Sequence, residues 1–399
     1  MKRKDFMKNL MALSIGAPFL STLLASCNKE AVDFYEDINV DFNGKILIIG
    51  AGAAGLTAGH ILNKYQIDFQ IIEASPVHGG RVKKIGNFAD FPIDLGAEWI
   101  HTDPSILATL LNDRQTNAEI EIINYNPQTY SVWKNGELKR RNFASNFYSE
   151  YKFKNSTWFD FFDQYIVPGI SDKIVYNSPV SDIDYSGEKV IVKTTNNEIY
   201  DADKILVTVP LKILQNNMIN FNPGLPAEKT EALTQVEMPD GLKVFIEFSE
   251  RFYPDVIAFD GLISAMLDGN HLYYDAAFGK DSQKNILGLF TVGEPASRYT
   301  DLQTDAAIMN KVLGELDEMF DGKATQTYVG HVVQNWSREP YIQGSYSHYD
   351  DHGAMDVLSQ PIGEKVYFAG EAYSSESQAT VHGAAETAYA VVEQMLVKR

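Results

Sequence analysis

One cysteine, Cys27, stands in 399 residues, so no disulfide can form within the chain. Basic residues are also scarce. The 34 Lys and Arg face 53 Asp and Glu, a net charge of −19, and this argues against nucleic acid as a partner, which needs basic patches. The apolar run within residues 1–27 has the size of a signal-peptide core and is too short for a good membrane span. His101, His348 and His382 lie in motif-like segments, but no pair has the spacing of metal ligands, so no metal site is expected. Each is read as a core or supporting histidine. No internal repeat or low-complexity tract is present.

Residues 1–27 begin basic, turn apolar and end in Leu24-Ala25-Ser26-Cys27. That ending resembles the bacterial lipoprotein box, whose Cys is lipidated and becomes the new N-terminus. Arg3-Lys4-Asp5-Phe6-Met7-Lys8 is similar to the twin-arginine export pattern, with Lys in place of the second Arg. The general export route stays open beside it. The expectation is an exported bacterial lipoprotein, anchored at the periplasmic side or cell surface, touching the membrane only through lipid on Cys27. Removing 26 residues from 399 leaves 373, enough for two domains. The leader carries a net +3, so the remainder lies near −22. Residues 28–42 are acidic and aperiodic and read as a tether.

Beyond the tether, Lys45–Ile49 reads as a buried strand, Leu56–Lys64 as a helix and Phe69–Ala74 as a second buried strand. This order opens a parallel α/β sheet. Residues 242–248 alternate as a half-buried strand should, and residues 304–320 carry a helical apolar stripe.

The turn between the first strand and helix is G-x-G-x-x-G: Gly50, Gly52 and Gly55, with Ala53 and Ala54 inside it. The first glycine permits the tight turn, the second lets a pyrophosphate approach, and the third lets helix pack on strand. Glu73, followed by Ala74, ends the next strand at the distance where a carboxylate can take ribose hydroxyls. The pattern points to a dinucleotide and leaves NAD and FAD both open.

The next segments carry Gly79-Gly80-Arg81 and then Asp94-Leu95-Gly96-Ala97-Glu98-Trp99-Ile100-His101. Near the far end comes "VYFAGEAYSSESQATVHGAAETA". These resemble the flavin amine oxidase family, which includes polyamine oxidases and histone-lysine demethylases. The resemblance spans nearly the whole chain after the leader and implies FAD. It places Gly80 and Arg81 along the cofactor and Gly96, Ala97, Glu98 and Trp99 beside the flavin. Val180 falls at the adenine, Trp336 against the flavin, Gly370 and Glu371 at the ribityl chain, and Thr380 and Val381 at the pyrimidine ring. Lys243 falls where the family presents a lysine to flavin N5 through a water; on residues alone, a solvated lysine is the alternative. Tyr346 occupies one position of the aromatic cage that brackets the amine, and Thr380 the other. Ser345 stands where some members attach flavin through Cys, so the FAD is expected to be noncovalent.

The implied fold is α/β, a Rossmann-like FAD-binding domain of the glutathione-reductase type interleaved with an α+β substrate domain. The expected division is 43–104, 171–215 and 351–399 for the FAD-binding parts, with 105–170 and 216–350 for the substrate parts. The implied activity is FAD-dependent oxidation of a primary, secondary or polyamine C–N bond to an imine, with oxygen or another acceptor reoxidising the flavin. A small-molecule amine is the expected partner; the sequence does not set the number of subunits. The alternatives are an FAD dehydrogenase or desaturase acting on a non-amine, and a flavin-bound partner protein without turnover. The Tyr- and Phe-rich stretch 124–166 either lines a substrate cavity or packs the domain. Only about 75 residues separate Trp99 from Val175, so an open or reshaped entry is expected.

Overall fold

The computed structural model describes residues 35–113, 120–141, 150–260, 271–349 and 353–397. Cys27 and the export-like leader lie outside them.

Five parallel strands form the first sheet, in the order Ile174–Val175, Asp68–Ile72, Lys45–Ile49, Lys204–Val207 and Val366–Phe368. The strand Lys45–Ile49 is apolar on both faces because both are covered, as parallel sheets require. Ile46 and Ile48 enter one core with the helices Ala53–Lys64 and Val381–Leu396. Leu47 and Ile49 enter a second core beneath residues 211–236 and 354–358. The helix Ala53–Lys64 starts three residues earlier than the 56–64 stretch expected from periodicity; the two alanines of the glycine motif lie in its first turn.

A seven-stranded sheet forms the second layer, in the order Tyr328–Asn335, Gly241–Phe248, Asn285–Val292, His271–Asp275, Val256–Phe259, Tyr130–Lys134 and Glu137–Arg141. Its strand Gly241–Phe248 departs from the half-buried expectation. Leu242, Val244, Ile246 and Phe248 pack under the helix Asp305–Phe320, while Phe245 on the other face packs with Phe91, Ile93 and Tyr274. Lys243 shares that second face and is 3% exposed, so the solvated-lysine alternative falls.

Two further expectations need correction. The 28–42 segment is not a free tether where it is described: Tyr35 stacks on Tyr389 at 3.7 Å, and Asp41 N–H donates to Leu396 O at 2.9 Å. The boundaries at 105 and 170 do not separate layers either. The helices Ile106–Leu111 and Trp158–Tyr165 bury Leu110, Trp158, Phe161 and Phe162 in the core of the five-stranded sheet, because their apolar faces find that sheet nearer than the other. Among the described residues, no helix is long and apolar enough to cross a membrane.

Candidate functional site

A cavity of about 340 Å³ runs between the two sheets. At one end lies the glycine turn. Gly50 has φ +107, a conformation L side chains rarely adopt, and it turns the chain out of the first strand. A Cβ on Gly55 would meet Gly50 O at 1.9 Å, so only glycine lets the helix seat against the strand. A Cβ on Gly52 would meet nothing nearer than Gly79 O at 3.9 Å. Gly52, Ala53 and Ala54 therefore present open backbone to the cavity at the N-terminus of the helix Ala53–Lys64, an anion-receptive place.

Glu73 fixes this turn. Its Oε2 accepts from Ala51 N–H at 2.6 Å and its Oε1 from Ser75 N–H at 2.7 Å. Burial pushes its carboxyl up, against the pull of these bonds. Ala74 and Val180 continue the same wall. This end has the features a dinucleotide needs: an open glycine backbone, a helix N-terminus and a carboxylate with acceptor capacity left.

In the middle, Arg81 Nη1 donates to Glu371 Oε1 and to Ser345 O, each at 2.8 Å. Glu371 also accepts from Ser347 Oγ at 2.7 Å and from the N–H groups of Ser347 and Ala379 at 3.2 Å. Both oxygens, expected to serve a ribityl chain, thus take bonds from the protein, tying Arg81 and the 345–347 turn to the segment before the helix Val381–Leu396. Gly80, Gly370 and Val381 line this stretch.

Thr380 caps that helix. Its hydroxyl accepts from Gly383 N–H at 3.0 Å and donates to Ser377 O at 2.6 Å. The side chain expected at a substrate cage is thereby engaged by the backbone, although Thr380 lines the cavity. Tyr346, half-buried, lines it as well. Trp336 is held by an Nε1–H bond to Leu95 O at 3.0 Å, beside Gly96 and Ala97.

Lys243 reaches this end from the seven-stranded sheet. Its Nζ donates to Glu98 Oε2 at 2.7 Å and to Asp94 O at 3.3 Å. Glu98 is also paired, through Oε1, with Lys152 at 2.5 Å. Burial raises the Glu98 carboxyl, but Lys152 and Lys243 outweigh burial and hold it well below the usual range. Trp99 stands over Lys152 Nζ at 4.6 Å.

The cavity therefore gathers every residue read from the sequence as cofactor-contacting or catalytic except Gly55, which sits beneath the turn; Cys27 lies outside the described residues. Sequence reasoning missed Lys152, Tyr274 and Glu150. His101, read as a supporting histidine, lines the cavity and pairs with Glu150 at 3.0 Å. His382 is buried, and burial together with His101 lowers it to about 4. Among the described residues, none from 105 to 170 lines the cavity, so the described aromatic side chains of 124–166 pack the layers.

The family model for flavin containing amine oxidoreductases matches residues 169–396, and the one for NAD(P)-binding Rossmann-like domains matches residues 48–113. Lysine-specific histone demethylase 1B of Mus musculus is 33% identical over 213 residues, 52% of this chain and 26% of that protein. Polyamine oxidase 1 of Zea mays is 29% identical over 218 residues, 54% of this chain and 43% of that protein. The chain thus matches less than half the length of each of these relatives. A putrescine oxidase solved with putrescine bound is similar in fold, with a TM-score of 0.74 at 14% identity, over 90% of this chain and 100% of that one.

Proposed function

Because the chain belongs to the family of flavin containing amine oxidoreductases, we propose that it oxidises the C–N bond of a small primary, secondary or polyamine to an imine. The observation that carries the reading is the convergence of Gly52, Glu73, Arg81, Trp336 and Lys243 on one cavity. FAD is the cofactor, and the residues fit it. The open backbone at Gly52–Ala54 would hold the pyrophosphate, Glu73 the adenosine ribose, and Val180 the adenine end.

FAD bound there supplies an acceptor for the hydride equivalent that leaves the carbon next to nitrogen. The chain's own contribution is orientation and electrostatics. Trp336, fixed through Leu95 O, would set the plane of one wall. The N-terminus of the helix Val381–Leu396 lies at the cavity, where Thr380, Val381 and Ala384 line it, and favours negative charge there. The ammonium of Lys243 adds a fixed positive charge. Tyr346 offers an aromatic face to an amine.

Anaerobic mixing of the FAD-loaded protein with a panel of mono-, di- and polyamines tests the reading. Bleaching of the flavin absorbance by at least one amine supports it. Bleaching only by non-amine substrates would favour a dehydrogenase or desaturase, and no bleaching by any class would favour a partner protein. Lys243→Met should keep FAD yet slow reduction or reoxidation about ten-fold or more.

Lipid attachment at Cys27 and export of the folded flavoprotein belong to the same proposal, supported by the leader pattern alone. Cys27→Ser should abolish membrane retention and lipid labelling in a bacterial host while leaving flavin-loaded protein. Retention unchanged by that substitution would remove the lipid half.

A further inference from the structure

Three buried charges meet at the Lys243 end of the cavity. Lys243 is 3% exposed, Glu98 6% and Lys152 1%. They come from the strand Gly241–Phe248, the residue before the strand Trp99–Ile100, and the strand Glu150–Phe153. Glu98 divides its oxygens between the lysines: Oε2 to Lys243 at 2.7 Å, Oε1 to Lys152 at 2.5 Å. Tyr274 O–H donates to Oε2 at 2.5 Å. Glu98 and Lys243 line the cavity, whereas Lys152 and Tyr274 stand behind them.

A lysine so deeply buried would lose its proton without a counter-ion. Asp94, Lys280 and Tyr274 also face the trio, and buried Asp275, paired with Arg251 at 2.8 Å, faces Lys152. Asp94 is buried and raised well above the usual carboxylate range, first by burial and then by Glu98, and it meets Lys243 through its backbone carbonyl, not its carboxyl. Lys280 is lowered to about 8 by burial and by Lys152. Burial and Glu98 also raise Tyr274, which keeps its proton and remains a donor. Glu98 is the carboxylate that pairs with Lys243 among the described residues. Lys152 is fixed in turn by Glu98 and by the faces of Trp99, Tyr274 and Tyr125 at 4.6, 5.2 and 5.3 Å.

We propose that Glu98 is a positioning residue that keeps the ammonium of Lys243 charged and fixed against the cavity, while Lys152 behind it holds Glu98 in place. The proposal rests on the reading of Lys243 as the group beside the reactive part of the flavin. It makes the two lysines unequal: Lys243 acts on the cavity, and Lys152 acts only through Glu98. It also reassigns Glu98 from a cofactor contact to a support for Lys243.

The test is the midpoint potential of the bound flavin against pH, measured on the full-length FAD-loaded protein by chemical reduction. A charge beside the flavin changes the stability of its reduced form, so loss of a proton from Lys243 bends the curve. The unsubstituted protein, with the Glu98–Lys243 pair intact, is the reference curve. Glu98→Gln should introduce a new bend between about pH 6 and 9. Flavin reoxidation by oxygen should fall about ten-fold across the same interval. Lys152→Met should give no such bend, since the Glu98–Lys243 pair remains.

The new bend must vanish in Glu98→Gln/Lys243→Met; Lys280 feels both Glu98 and Lys152, and its contribution is the same in this variant as in Glu98→Gln, so the comparison of these two isolates Lys243. If Glu98→Gln does not fold, Glu98→Gln/Lys152→Met removes one buried charge of each sign and should show the same bend. A Glu98→Gln curve superimposable on the original would overturn the proposal, as would a bend that persists without Lys243. A trio that merely held the strands together would lower the melting temperature and leave the curve unbent. Chemical reduction needs no amine, so failure of every amine to bleach the flavin would defeat the amine reading and leave this comparison intact.

Discussion

Arg81 Nη1 lies 2.8 Å from Glu371 Oε1, a contact that joins the turn after the second strand to the last quarter of the chain. Glu371 is almost wholly shielded and Arg81 is partly open to the cavity, so the pair is stronger than a surface bridge. Glu371→Gln removes the charge shared by Arg81, Ser347 and Ala379. A charge-assisted bond of this kind contributes about 1.5–3 kcal/mol, so FAD affinity should fall roughly ten- to a hundred-fold. Flavin retention on desalting, followed by titration with free FAD, measures it. Affinity within two-fold of the original would show that the pair holds the protein and not the cofactor.

Thr380 is expected to matter for the helix more than for the amine. Thr380→Ala removes the cap of the helix Val381–Leu396 and should cost about 1 kcal/mol, read as a lower denaturation midpoint. Thr380→Ser keeps the oxygen and should restore most of that loss. A KM for amine that rises ten-fold in the serine variant, with stability intact, would return Thr380 to the substrate cage.

His382 links stability to acid. Its folded value of about 4 lies below the ordinary 6.5 because burial, then His101, disfavours the charged ring. Between these two values the unfolded chain binds the extra proton and the folded chain does not. Its contribution is therefore fully present above pH 6.5 and is lost as pH falls through about 4, up to about 3 kcal/mol. His382→Gln should flatten the melting temperature across that interval relative to the unsubstituted protein. Parallel curves for the two would contradict the assignment.

The flavin should leave the denatured chain completely. Ser345 is buried and donates its hydroxyl to Pro239 O at 2.9 Å, at the position where a thiol would be needed for attachment. Acid precipitation should give a colourless pellet and all of the flavin in the supernatant. Yellow protein in the pellet would refute a noncovalent cofactor.

The glycine turn was legible because its causes are local: Gly50 must adopt φ +107, and Gly55 must approach Gly50 O. The segments around Arg81, Trp99, Trp336 and Glu371 could be brought together through the family pattern, and they do line one cavity. The state of Lys243 was not legible from its strand. Alternation put Leu242 and Val244 inside, but the opposite face is buried too, because Phe91, Ile93 and Tyr274 arrive from distant parts of the chain. Lys152 carried no signal at all: a lysine between two aromatic residues reads as a surface residue until Glu98 is placed 2.5 Å away. The 28–42 segment looked unattached for the same reason, since Tyr35 finds its stacking partner only at Tyr389.

The strand Lys45–Ile49 pairs with Lys204–Val207, which pairs in turn with Val366–Phe368, and the helix Val381–Leu396 packs beside Ala53–Lys64. A ribosome delivers these pieces in order, so the glycine turn emerges long before the strand and helix that wall it in. Native-like cofactor capture must therefore await nearly the whole polypeptide. Until then the half-built layer exposes apolar surface of the kind that chaperones recognise.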